Sequence, residues 1–152
     1  VATTEDSERL KRHGIPIIQI NTEPFGGECH LEAHLIASAL KLLDLNDIDI
    51  LFIENMGNLV CPAEFKLGVH KNVVLLSVPE GEDKPLKYPQ MFRIADLLLI
   101  NKIDLLPHIE FNREKLLRNV KKIKPRLEVL QISAKKKQGL ENWMEWIRTH
   151  RS

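Results

Sequence analysis

The sequence predicts an α/β fold: three layers, with a mostly parallel sheet between helices on both faces. Short apolar runs, continuous rather than alternating, suit strands buried on both faces of a parallel sheet. Segments of helical periodicity separate them, so strand and helix alternate along the chain and the crossovers are right-handed. The polar residues best suited to chemistry stand directly after the apolar runs, where ligands sit in an open α/β sheet.

The elements follow in order. Ser7-Glu8-Arg9-Leu10-Lys11-Arg12 belongs to a helix over 5–13, already in progress near Val1. An apolar run at 15–20 is the first expected strand, and Pro24-Phe25-Gly26-Gly27 leads from it into a helix over 29–43. Strands are then expected at 48–53, 72–78, 96–100 and 127–132, with helices at about 87–94 and at 110–122. Pro107 closes the loop after Asp104, and Pro125 ends the helix before it. A last helix over 140–149 carries Leu140, Trp143, Met144 and Ile147 as a core stripe, leaving Trp146 off it as a half-exposed surface residue. No internal repeat or low-complexity stretch appears.

At 152 residues the chain has the size of one domain, 1–152. Its opening inside a helical pattern reads as an N-terminal truncation of something longer. With 22 basic and 21 acidic residues it has no net field to attract nucleic acid or an anionic membrane. The runs Lys121-Lys122-Ile123-Lys124 and Lys135-Lys136-Lys137 read as solvated faces. No apolar stretch approaches the roughly 20 residues of a membrane span, and the expected location is cytoplasmic. Cys29 and Cys61 are too few for a disulfide scaffold and suit metal binding or catalysis in a reducing compartment.

Asn101-Lys102-Ile103-Asp104 follows one expected strand and Ser133-Ala134-Lys135 follows the next. Asn101 can brace neighbouring loops, and the stem of Lys102 can lie along a purine. The Asp104 carboxylate can accept from N1 and the exocyclic N2 of guanine, whereas adenine offers only an acceptor at N1. Ser133 and the amides of the loop through Ala134 and Lys135 would meet the base oxygen. The expected ligands are GTP and GDP.

Glu54 ends the run Leu51-Phe52-Ile53, where an acid can orient Mg2+ through water. Gly57 can bring its N–H close to a γ-phosphate and report which nucleotide is bound. No Gly-x-x-x-x-Gly-Lys-Ser/Thr run occurs, so tight nucleotide binding and hydrolysis are not expected of these residues alone.

Cys29-His30-Leu31-Glu32-Ala33-His34 places a thiol and two imidazoles at the start of a helix, with His30 and His34 on one face. The helix dipole favours thiolate at Cys29, and Cys61 is a further ligand if its loop folds beside that helix. Thiolate and imidazole suit zinc or nickel equally. Because Cys61 stands four positions after Gly57, a loop that moves with nucleotide state would move a metal ligand. His13, His70, His108 and His150 show no such grouping and read as surface residues.

These residues, together with Glu54-Asn55-Met56-Gly57-Asn58-Leu59-Val60-Cys61-Pro62 and Glu80-Gly81-Glu82-Asp83-Lys84-Pro85, closely resemble the HypB family, GTPases that help load nickel into [NiFe]-hydrogenases. The resemblance covers nearly the whole chain. It implies a P-loop NTPase-like G domain of the dimerising, signal-recognition-like class. Its nickel or zinc site would lie at a homodimer interface, formed by Cys29, His30 and Cys61 with His34 as a further ligand. Implied partners are the companion nickel protein HypA and the hydrogenase large subunit. By the same resemblance the first strand and the phosphate loop would lie upstream of Val1. Two other readings fit the residues: a non-hydrolysing metal-binding module, and a regulatory GTPase with a structural zinc.

Overall fold

The computed structural model describes residues 5–20, 33–55 and 67–151. The chain divides into two compact units, Val1–Gly68 and Val69–Ser152. The first contains helices α1 (Glu5–Lys11) and α2 (Ala33–Leu40). The expected strands at 15–20 and 48–53 are not formed: both runs lack strand structure. Their apolar side chains remain largely open, with Phe52 67% exposed and Ile15 49%. An apolar run becomes a strand only when its N–H and C=O groups join a ladder, and among the described residues neither run belongs to a sheet.

The second unit holds a parallel three-stranded sheet in the order β1 (Val73–Ser77), β2 (Leu97–Asn101), β3 (Glu128–Gln131). Register runs from Val73 opposite Leu97 to Ser77 opposite Asn101, and from Leu97 opposite Glu128 to Ile100 opposite Gln131. β2 is paired along both edges, and Leu97, Leu98, Leu99 and Ile100 are all buried. On β1 the expectation of burial on both faces fails. Val74 and Leu76 are buried while Leu75 is 52% exposed, which is the alternation of a strand covered on one face.

An additional short helix, α3 (Lys84–Lys87), precedes the helix expected at about 87–94, which forms as α4 (Pro89–Ile94). The break falls at Tyr88, whose φ of −129° and ψ of 55° are non-helical. Pro89 clashes with a helical preceding residue, so the chain must leave the helix one position early. Phe92 of α4 is fully buried. Helix α5 (Arg113–Ile123) begins at Asn112, whose side chain accepts from the N–H of Lys115 at 2.9 Å. Its buried face presents Leu116, Asn119 and Val120. The Asn119 amide donates to the Glu82 carbonyl at 3.2 Å and Lys115 pairs with the Glu82 carboxylate at 3.1 Å, tying the turn after β1 to α5.

Helix α6 (Leu140–Thr149) has the expected bounds but a different inner face. Trp146 is buried and Met144 is exposed. The indole Nε1 of Trp146 donates to Glu128 at 3.1 Å, and its ring stacks on Trp143 and on His150, with centroids 5.6 and 4.3 Å apart. A tryptophan whose N–H has a partner can be buried at little cost, so the stripe turns toward Trp146. His150 is accordingly a packed residue. Among the described residues no helix is long and apolar enough to cross a membrane.

Phe92→Ala should lower unfolding free energy by about 3–5 kcal/mol and Leu75→Ala by less than about 0.5. Urea denaturation of both variants checks the assignment of core and open face; equal losses would contradict it.

Candidate functional site

The carboxyl ends of β2 and β3 lie side by side, and the two loops leaving them meet. The N–H of Ile132 donates to the Ile100 carbonyl at 2.8 Å, and the N–H of Ile103 donates to the Ile132 carbonyl at 3.2 Å, continuing the ladder into both loops. Asn101 is the brace. Its Oδ1 accepts from its neighbour's N–H, Lys102, at 2.7 Å and from the N–H of Ala134 at 3.2 Å. Lys102 is left-handed, φ 62° and ψ 36°, a conformation uncommon for a residue with a Cβ. The Asn101 carbonyl oxygen at its N–H supports that turn, after which Ile103–His108 forms a 3-10 segment carrying Asp104.

Ser133 is fully buried and joins the two loops at the carboxylate. Its hydroxyl donates to Asp104 Oδ1 at 2.5 Å and its oxygen accepts from the N–H of Lys136 at 3.0 Å. A carboxylate has about four acceptor positions, so Asp104 keeps capacity for further donors. The Ser133 hydroxyl above all, and after it the backbone N–H of Asp104 and the Lys135 and Lys136 cations, hold the Asp104 carboxyl below its ordinary range against an opposing push from partial burial. The group is therefore an ionised acceptor at neutral pH. Its depressed folded value makes a stabilising contribution that is present above the unfolded carboxylate range and lost as pH falls through the folded one.

Asn101, Lys102, Asp104, Leu105, Ala134 and Lys135 line a cavity of about 350 Å³. Five of these are sequence-predicted residues, and Ser133 stands behind Asp104. Leu105, an apolar wall, was missed by the sequence reading, although its position directly after Asp104 was a usable signal. Every buried side-chain polar atom among the described residues has a partner.

The remaining candidates are placed differently. Glu54 and His34 are exposed, His34 on α2 with its carbonyl accepting from the Ser38 hydroxyl at 2.9 Å. Cys29, His30, Gly57 and Cys61 lie outside the described residues. Among the described residues no group of three or more histidine, cysteine or acidic side chains could hold a metal.

Residues 1–131 match the family model described as CobW/HypB/UreG, nucleotide-binding domain. Fold and match together define the class: an α/β nucleotide-binding domain. The chain is 50% identical over 149 residues to the hydrogenase maturation factor HypB of Escherichia coli, covering 98% of this chain and 50% of that protein. It superposes on the crystal structure of the hydrogenase maturation factor HypB from Archaeoglobus fulgidus with a TM-score of 0.88 at 41% identity, covering all of this chain and 72% of that one. On HypB from Helicobacter pylori in complex with nickel the TM-score is 0.90 at 40% identity, covering 99% and 73%. The chain belongs to the HypB family. It spans about half the length of the curated relatives it matches.

Ser133→Ala should raise the Asp104 carboxyl toward the ordinary aspartate range, because the largest force depressing it is removed. A carboxyl-carbon NMR titration reads this directly; an unmoved midpoint would show that the hydroxyl is not the cause.

Proposed function

We propose that the chain is the guanine-nucleotide domain of a GTP-dependent nickel metallochaperone that assists nickel insertion into [NiFe]-hydrogenase. The observation that carries this reading is the meeting of Asp104 with the Ser133–Lys135 loop around one cavity. An ionised carboxylate there accepts from guanine N1 and N2, the exposed Lys102 can cover the base with its stem, and the Ala134 and Lys135 loop faces its oxygen. Adenine would bring the carboxylate no donor at N1 or position 2, a loss large enough to exclude it.

Glu54, an exposed acid, suits Mg2+ held through water; the ion would supply charge stabilisation to the phosphates. Gly57 would sense the γ-phosphate. GTP hydrolysis belongs to the complete protein, as in-line attack of water on the γ-phosphorus. Nickel, or zinc in its place, would be held by Cys29, His30 and Cys61 with His34 as a further ligand, thiolate and imidazole donors suited to either ion. Gly57 and Cys61 stand four positions apart, which couples the two ligands: what moves one moves the other. Metal release on a change of nucleotide state follows, with homodimerisation as its context and HypA and the hydrogenase large subunit as partners. The names of the relatives, hydrogenase maturation factors and a HypB bound to nickel, support this assignment. The expected setting is the cytoplasm.

Asp104→Asn in the full-length protein should lower preference for GTP over xanthosine triphosphate by roughly a hundredfold or more, since an amide donor suits the extra xanthine oxygen. Competition titration measures it, and an unchanged ratio removes the base assignment. Separately, Cys29→Ser or Cys61→Ser should abolish thiol-dependent nickel and zinc binding at equilibrium dialysis; binding indifferent to both would leave the metal reading without its ligands.

A further inference from the structure

We propose that Gly139 is a positioning residue for nucleotide selection: it lets the 133–138 loop close against the end of β3 and so holds Ser133 on the Asp104 carboxylate. This rests on the guanine reading above and adds a determinant outside the cavity lining.

Gly139 is left-handed at φ 70°, and a Cβ there would stand 2.3 Å from the Gln131 carbonyl oxygen and 3.4 Å from its carbon. The obstacle is backbone rather than the end of a flexible side chain. It is also immobile, because β3 pairs with β2 through Gln131 and the next N–H, that of Ile132, donates to Ile100. Gly14 and Gly68 are left-handed too, yet a Cβ at either meets nothing within 4 Å. At Gly81 it meets only Asp83 Oδ1, at 3.4 Å, so among the described glycines the steric demand is particular to Gly139.

On its other side Gly139 is the first cap of α6, and its carbonyl accepts from the N–H of Trp143 at 3.4 Å. The helix is itself anchored to β3 by Trp146 and Glu128. A side chain at 139 can be accommodated only by shifting the loop. The adjacent Gln138 exchanges two backbone hydrogen bonds with Ser133, at 3.0 and 3.1 Å, closing the loop through a second left-handed residue, Lys137 at φ 56°. Ser133 thus cannot keep its place when Gly139 moves, and its hydroxyl is what orients the carboxylate. The path runs from glycine through the Gln138 bridge to Ser133 and Asp104.

The test compares GDP with IDP, which lacks the exocyclic amine that Asp104 would read, by equilibrium titration into the full-length protein. Gly139→Ala should lower the GDP-to-IDP affinity ratio by about tenfold, the scale of one or two misplaced hydrogen bonds. Ser133→Ala should lower it in the same direction. Trp143→Ala, which removes the stack on Trp146 and keeps the backbone N–H bonded to Gly139, should lower the melting midpoint and leave the ratio intact. A folded Gly139→Ala protein with the parent ratio overturns the positioning role and leaves the base assignment standing. A parent protein that does not distinguish GDP from IDP overturns both. Should Gly139→Ala not fold, Gln138→Pro, which deletes one bridge hydrogen bond, carries the same comparison: a reduced ratio supports the clasp and a retained one overturns it.

Discussion

The ladder that pairs β2 with both of its neighbours is the constraint on which the rest of the second unit depends. Four consecutive apolar side chains, Leu97 to Ile100, are buried there, so β2 can occupy only the middle of the sheet. Because the pairing is parallel and in register, Ser77, Asn101 and Gln131 reach the same edge. The loops that leave β2 and β3 are then neighbours without any further interaction. Hydrogen bonds between Ile132 and Ile100 and between Ile103 and Ile132 carry that register beyond the strands.

Within that frame a few polar contacts do several tasks each. Asn101 uses one oxygen to support a left-handed lysine and to hold the second loop. Ser133, fully buried, uses its donor on Asp104 and its acceptor on Lys136. Burial of Ser133 strengthens its two bonds and makes their loss costly, so the hydroxyl holds the carboxylate in place. An ionised acceptor held by its neighbours is what selection by hydrogen bonding would require, since under the proposed reading a base without matching donors would leave part of the carboxylate unsatisfied.

The two proposed halves of the activity differ in how the chain supplies them. Base selection is built from two loops 29 positions apart in sequence that the sheet makes adjacent. The proposed coupling between nucleotide and metal would instead lie in a single local segment, where Glu54, Gly57 and Cys61 follow one another closely. Membership of the HypB family is consistent with both. The first is a property of the packed sheet, and the second is a property of covalent spacing.

What the sequence by itself determined follows the same division. The α/β class, three of the strands, the bounds of α6 and, Leu105 apart, the residues that line the cavity after β2 and β3 were legible, because period and the placement of polar residues after apolar runs are local signals. The Cys-His motif was legible as chemistry, and its cysteines and His30 lie outside the described residues. Tertiary structure decided what depended on partners. The runs at 15–20 and 48–53 have strand composition but form no strand among the described residues; Leu75 is exposed although its neighbours are buried; Trp146 turns inward because Glu128 accepts its N–H. The demand at Gly139 likewise comes from a carbonyl eight positions away, which composition cannot reveal. Periodicity says which residues can be buried or bonded, and only packing supplies the atoms that do it.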